Sequence, residues 1–110
     1  MKVLKFGGSS VGSAHRMKSV AALVDDGEQK IVVLSAMSGT TNSLVDIANY
    51  YSSGNAEGAS DVIVTLEAKY AKHVSELYDT EEYADKARAV LAEVFTCLRS
   101  FAGKHFGPVE

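Results

Sequence analysis

Lys5-Phe6-Gly7-Gly8-Ser9-Ser10-Val11-Gly12 follows a short apolar run at the start of the chain and precedes a pattern typical of a helix. A strand that ends at two glycines and leads into a helix favours an anion site, because backbone N–H groups point outward there and the helix dipole attracts negative charge. Glycine lets a phosphate come close to the backbone, since it has no Cβ. The ammonium of Lys5 stands just before the turn, where it can stabilise the charge that develops during phosphoryl transfer.

This segment differs from two familiar phosphate-binding motifs. The P-loop pattern G-x-x-x-x-G-K-[ST] places its lysine after the glycines, whereas Lys5 precedes Gly7 and Gly8. The dinucleotide-binding pattern G-x-G-x-x-G requires a spacing that Gly7, Gly8 and Gly12 do not have. From these residues alone two interpretations stay open: a phosphate-binding loop, and a strand-to-helix turn that needs glycine for its backbone angles.

The N-terminal third of the chain predicts a β-α-β unit, and therefore an α/β fold. Residues 2–6 are predicted to form a strand, and residues 30–35 are a continuous apolar run that suits a parallel strand buried on both faces. Residues 11–24 between them carry apolar side chains at roughly helical spacing. The predicted N-cap of this helix is Ser9 or Ser10.

The rest of the chain predicts helices. A helix capped by Thr41 or Asn42 is followed by a turn over residues 52–55 and by two long amphipathic helices over residues 59–78 and 83–102. The two long helices are predicted to form an antiparallel hairpin, with candidate contacts at Tyr70, Val74, Val90 and Val94. The predicted end of the last helix is marked by Gly103, Gly107 and Pro108.

Single histidine and cysteine side chains form no catalytic or metal-binding pattern. His73 has no second histidine at metal-ligand spacing and is predicted to lie on the surface of its helix. Cys97 is predicted to be a small buried or half-buried hydrophobic residue rather than a nucleophile. One cysteine cannot form a disulfide within the chain, which fits a reducing cytosol.

Length and charge restrict the class of protein. A chain of 110 residues with 46% hydrophobic residues has enough apolar material for one small domain. The net charge of −3, with dispersed lysines and arginines, argues against binding to nucleic acid. The apolar runs are too short to span a bilayer and no signal peptide is visible, so a cytoplasmic location without membrane contact is predicted.

Two segments together resemble the aspartate kinase family. Residues 5–11 are similar to that family's opening signature, K-F-G-G-[TS]-S-V, and residues 33–42 look like its second block, V-L-S-A-x-x-G-x-T-N. The resemblance implies that residues 1–110 are the N-terminal part of a catalytic domain with the amino-acid-kinase fold, a three-layer αβα sandwich. It also implies that the remainder of this domain and the ACT regulatory domains are absent, so the isolated chain is expected to be inactive.

The resemblance further implies a reaction and a set of site residues. Aspartate kinases transfer the γ-phosphoryl group of ATP, bound with Mg²⁺, to the side-chain carboxylate of L-aspartate and give 4-phospho-L-aspartate, the first step towards lysine, threonine and methionine. The parent protein is expected to be a homo-oligomer. By resemblance, Lys5 is catalytic, and the phosphates would be contacted by Lys5, Phe6, Gly7, Gly8 and Ser9. Substrate-binding residues implied in the same way are Ser35 and Thr41, and no metal ligand is identified.

Alternatives of three kinds stay open. Other amino-acid-kinase relatives act on acetylglutamate, glutamate, carbamate or UMP, and they share a lysine and paired glycines but not the setting of Phe6 and Ser10-Val11. A non-catalytic helical assembly module is supported by the long apolar stripes of residues 59–78 and 83–102. Ser35 and Thr41 can also be explained by helix capping and turn formation alone.

Overall fold

The structure is a computed structural model that describes residues 1–102. The predicted helix end at Gly103, Gly107 and Pro108 lies outside the described residues. The chain divides into two compact units, one over Met1–Thr40 and a second that begins at Thr41. Among the described residues, no helix combines the length and the apolar character needed to cross a lipid bilayer.

The first unit is the predicted β-α-β unit. Strand β1 (Lys2–Phe6) and strand β2 (Lys30–Leu34) are joined by helix α1 (Ala14–Val24) and pair in parallel, with Lys2 opposite Lys30 and Phe6 opposite Leu34. The α/β fold class is thereby supported. The three-layer sandwich stays a prediction, because the described residues contribute one sheet of two strands.

Helix α1 begins later than predicted. Ser9 and Ser10 were expected to cap it, but the N-cap is Ser13, whose extended backbone (φ −145°) lets its hydroxyl oxygen accept a hydrogen bond from the Arg16 N–H at 3.2 Å. The preceding residues form tight turns instead, because the Ser10 N–H donates to the Gly7 carbonyl at 3.0 Å. The prediction of Ser9 or Ser10 as the cap was therefore wrong.

A lysine fixes the connection between α1 and β2. The side chain of Lys30 is only 6% exposed, and its ammonium contacts the Asp26 carboxylate. The same ammonium donates to the Val24 carbonyl at 2.8 Å, which satisfies one of the free carbonyls at the end of α1. The hydrogen bond from Lys30 also lowers the pKa of Asp26.

The prediction that strand β2 is buried on both faces was wrong. Ile31, Val33 and Leu34 are 49%, 44% and 56% exposed. In a parallel pair, opposing residues lie on the same face of the sheet, so Val3 and Lys5 share a face with Ile31 and Val33. The physical reason for the exposure is that a single helix of 11 residues cannot cover both faces of a sheet.

The second unit is helical. Helix α2 (Thr40–Ser52) starts slightly before its predicted cap, and helix α3 (Ala56–Leu77) follows a turn at Gly54. Helix α4 (Glu81–Arg99) is the last helix in the part of the chain that the structure describes. The side chain of Asn55 caps α3 by accepting from the Gly58 N–H at 2.9 Å. Acidic residues in the first turn of α4, Glu81 and Glu82, complement the helix dipole.

The core of the helical unit lies where α3 and α4 pack together, and α2 contributes one residue to it. Its buried members are Ile47, Ala59, Ile63, Leu66 and Phe95. The rings of Tyr70 and Phe95 meet edge to face with their centroids 6.4 Å apart. At the rim, the Arg99 guanidinium donates to both carboxylate oxygens of Glu67 at 2.8 and 3.0 Å, which lowers the pKa of Glu67.

Two of the four predicted hairpin contacts were wrong. Val90 and Val94 are 60% and 49% exposed, whereas Phe95, which was not among the candidates, is 3% exposed. Successive helical residues point about 100° apart, so the shift from position 94 to 95 moves the contact to the neighbouring face of α4. Cys97 is also exposed, so the prediction of a buried or half-buried residue was wrong.

His73 is buried rather than on the surface, with 8% of its surface exposed. Burial disfavours the charged imidazolium and lowers the pKa of His73, with a smaller opposing effect from the Glu76 carboxylate and a smaller lowering effect from Lys69. The sequence prediction failed because it considered ligand spacing and not the face of α3 on which His73 lies.

We expect Phe95→Ala to destabilise the helical unit by about 3–5 kcal/mol, because it removes a buried ring and leaves a cavity. The matched control is Val94→Ala, which should change the free energy of unfolding by no more than about 0.5 kcal/mol at a half-exposed position. Urea unfolding followed by circular dichroism measures both. Equal effects of the two substitutions would contradict the packing of α4.

The stability of the helical unit should fall when the pH decreases below the ordinary histidine pKa of 6.5. The folded state disfavours protonated His73, so the neutral side chain supports folding fully above that pH and loses this advantage below it. We expect the decrease in stability from pH 7.5 to 5.5 to be smaller in His73→Gln than in the wild type. His15→Gln, at an exposed position, should retain the wild-type decrease; an unchanged decrease in His73→Gln would refute the role of His73.

Candidate phosphate-binding site

The two segments singled out in the sequence leave the sheet at the same edge. Because β1 and β2 are parallel, their carboxyl ends lie side by side, as is usual for ligand sites in α/β sheets. The Ser35 N–H donates to the Phe6 carbonyl at 3.0 Å and extends the pairing one residue beyond β2. We call residues 7–13 the first loop and residues 35–39 the second loop.

The absence of side chains at two glycines lets the two loops touch. A Cβ atom at Gly8 would lie 3.2 Å from the Ala36 carbonyl oxygen and 3.5 Å from the Ser38 nitrogen. At Gly12 it would lie 3.0 Å from the Gly8 carbonyl oxygen and 3.6 Å from the Ser38 Cβ. The glycines are therefore needed for packing of backbone against backbone, and not for a left-handed conformation.

The first loop presents amide groups without an acceptor. The N–H groups of Ser10 and Gly12 donate to carbonyls inside the loop, whereas those of Gly7, Gly8 and Ser9 donate to no acceptor within residues 1–102. A Cβ at Gly7 would meet nothing within 4 Å, so the space beside this residue is open. Unpaired amides beside open space are what a phosphate group requires, and this arrangement fits the phosphates of ATP.

The electrostatic setting of the first loop favours an anion. Residues 1–24 contain no aspartate or glutamate, but they include the basic residues Lys2, Lys5, Arg16 and Lys18. Lys5 is exposed in β1 and, within the part of the chain that the structure describes, forms no ion pair with a carboxylate. Its ammonium is therefore available to an external anion.

The other predicted site residues lie in different places. Phe6 ends β1 and is half-buried, Ser9 lies in the first loop, and Ser35 begins the second loop. Lys5, Phe6, Gly7, Gly8, Ser9 and Ser35 are thus brought together at one edge of the sheet. Thr41 is exposed in the first turn of α2 and belongs to the helical unit, and its contact with substrate stays a prediction.

Sequence reasoning missed two residues that shape the first loop. The Arg16 guanidinium donates to the Ser9 carbonyl at 2.7 Å, and Ser38 lies against both Gly8 and Gly12. Ser38 could have been suspected because it falls inside the second segment. Arg16 gave no signal, since a single arginine in an amphipathic helix is ordinary.

The described residues contain no cluster of side chains typical of a metal site. No group of three or more histidine, cysteine, aspartate or glutamate side chains in residues 1–102 is arranged to hold one.

The sequence model of the amino acid kinase family matches residues 1–101. The chain belongs to the amino acid kinase family. Within it, the chain is similar to the aspartate kinase of Pseudomonas putida, with 46% identity over 67 residues, and to that of Pseudomonas fluorescens, with 56% identity over 50 residues. It is also 42% identical over 82 residues to the chloroplastic bifunctional aspartokinase/homoserine dehydrogenase 1 of Arabidopsis thaliana.

The matches cover between two fifths and three quarters of this amino acid kinase chain but little of its relatives. The three matched segments are 57%, 42% and 73% of this chain, and 16%, 12% and 9% of the respective relatives. The chain thus spans about a sixth or less of the length of these proteins. The resemblance to aspartate kinases is confirmed, and it is a resemblance to one segment of them.

We expect Gly8→Ala to destabilise the first unit by about 1–3 kcal/mol, because the added methyl group forces the backbone of the second loop to move. Gly7→Ala is the matched control: its Cβ meets no atom, so stability should stay within about 0.5 kcal/mol of the wild type. Urea unfolding followed by the NMR amide signals of β1 and β2 distinguishes them. If Gly7→Ala proved as destabilising as Gly8→Ala, contact between the loops would not be the cause.

Proposed function

We propose that this chain is the phosphate-binding part of an aspartate kinase, which transfers the γ-phosphoryl group of ATP to the side-chain carboxylate of L-aspartate. The observation that carries the proposal is the first loop: three unpaired amides, open space at Gly7 and an exposed Lys5 at the carboxyl edge of a parallel sheet. Membership of the amino acid kinase family and the names of the similar proteins support the choice of reaction.

The proposed reaction needs charge neutralisation more than a protein nucleophile. A carboxylate oxygen of aspartate attacks the γ-phosphorus, the bond from that phosphorus to the β,γ-bridging oxygen breaks, and ADP leaves with the electron pair. Two anions must approach each other, so cationic and N–H groups that meet the phosphoryl oxygens lower the barrier. Lys5 would supply the charge, and the amides of Gly7, Gly8 and Ser9 would supply oriented dipoles.

The remaining assignments follow from the same proposal. Mg²⁺ bound to the ATP phosphates would neutralise part of their charge, with no ligand set from the described residues. Ser35 and Thr41 would contact the aspartate substrate through their hydroxyl groups. Homo-oligomeric assembly, a cytoplasmic location and the start of a biosynthetic route to lysine, threonine and methionine belong to this proposal as well.

Lys5→Ala should weaken binding of MgATP to the 110-residue chain about tenfold, because a charge-assisted contact to phosphate is lost. The matched control is Lys2→Ala, which removes an equal charge from the other end of β1, about 10 Å away. Binding is measured from the NMR shifts of the Gly7, Gly8 and Ser9 amides during titration. The proposal fails if these amides do not respond, or if both lysine variants weaken binding equally.

In the complete enzyme, Lys5→Ala should lower turnover by about 10²–10³-fold, since the ammonium acts on charge that develops in the transition state. ADP release that depends on added L-aspartate measures the reaction. If ADP release depended on glutamate or carbamate instead, that compound and not aspartate would be the phosphoryl acceptor.

A further inference from the structure

An arginine in the first turn of α1 holds the first loop in place. The Arg16 Nη1 donates to the Ser9 carbonyl at 2.7 Å, across seven residues of sequence. The only other donor to this carbonyl among residues 1–102 is the Gly12 N–H, at the long distance of 3.4 Å. A charge-assisted hydrogen bond of 2.7 Å is much stronger than a neutral one of 3.4 Å, so Arg16 is the main partner of this oxygen.

This contact determines how one peptide group is oriented. The peptide between Ser9 and Ser10 is fixed at its carbonyl by Arg16 and at its N–H by the Gly7 carbonyl, 3.0 Å away. The peptides just before it carry the unpaired amides of Gly8 and Ser9. If the Ser9 carbonyl were released, it could rotate and direct its negative oxygen towards a bound phosphate, which would repel that phosphate.

The position of Arg16 runs against the usual charge preference of helices. Helix N-termini favour acidic side chains and disfavour cations, yet α1 has no acidic residue in its first turn and has Arg16 there. The hydrogen bond to Ser9 gives a specific reason for a cation at this place. The guanidinium also adds positive charge beside the loop, so contact and charge must be separated experimentally.

We propose that Arg16 is a positioning residue of the phosphate site, which orients the amides of the first loop by holding the Ser9 carbonyl. This inference rests on the proposed function, because it assigns Arg16 to the same ATP phosphates. Arg16 acts through the backbone of Ser9 and transfers no proton or phosphoryl group itself.

Two substitutions of Arg16 test the contact in the 110-residue chain. Arg16→Met removes the donor but keeps a long side chain of high helix propensity, and it should weaken binding of MgATP and of inorganic triphosphate by about tenfold. Arg16→Lys retains one N–H donor and should stay within about threefold of the wild type, because only one guanidinium nitrogen is used. Titrations followed by the Gly8 and Ser9 amide signals give both affinities.

Lys18→Gln is the matched control for charge. It removes one positive charge from the same helix at a residue that points about 200° away from Arg16. Its affinity for MgATP should equal that of the wild type; a loss as large as in Arg16→Met would show that charge alone matters and would overturn the inference. Far-UV circular dichroism verifies that each variant is folded.

The outcomes separate this inference from the proposed function. Normal affinity in Arg16→Met, together with weakened binding in Lys5→Ala, would overturn the role of Arg16 and leave the phosphate site in place. The phosphate site, and the role of Arg16 with it, would be refuted if the wild type did not bind MgATP. The same conclusion would follow if Lys5→Ala did not change the affinity. Weakened binding in Arg16→Met that Arg16→Lys rescues would support the inference.

Discussion

The close approach of two backbone segments at Gly8 is the constraint on which the candidate site depends. The neighbours of Gly8 are main-chain atoms of Ala36 and Ser38, which no change of rotamer can move aside. Both loops are anchored to the sheet where β1 and β2 end, and the hydrogen bond from Ser35 to Phe6 ties those ends together. The two ends of the first loop's approach to the second are therefore set by the sheet, and the contact from Arg16 to the Ser9 carbonyl acts on the amides between them.

The charge distribution of the sequence favours an anion at the same place as the backbone geometry does. The first 24 residues have no carboxylate, so none of their own side chains competes with an incoming phosphate for Lys5 or for the amides. The acidic residues that give the chain its net charge of −3 come later in the sequence. Acidic residues are thus separated in sequence from the basic first segment. Phosphoryl transfer between two anions is favoured by positive groups that are already in place, because they need no rearrangement when charge develops.

The sequence predicted the secondary-structure elements better than the burial and contacts of individual residues. Strands over 2–6 and 30–35 were found because apolar runs between turn residues are a local signal, and the two loops because their order and spacing are specific. The burial of His73 and the contact at Phe95 were missed, since each depends on which face of a helix meets a neighbour. The cap at Ser13 was missed because residues 7–12 form turns before the helix begins, and Ser9, Ser10 and Ser13 are equally suitable caps by residue type. The role of Arg16 could not have been predicted, because its partner is a backbone carbonyl, and every residue type has one.

The sheet of the first unit has exposed strand edges as well as exposed faces. Within the described residues, β1 and β2 each pair on one side only, so one edge of each strand keeps its main-chain donors and acceptors unsatisfied. Valine and isoleucine side chains also remain accessible on this two-stranded ribbon. Such a ribbon is a template: any extended polypeptide of suitable register, whether native or foreign, can add to it.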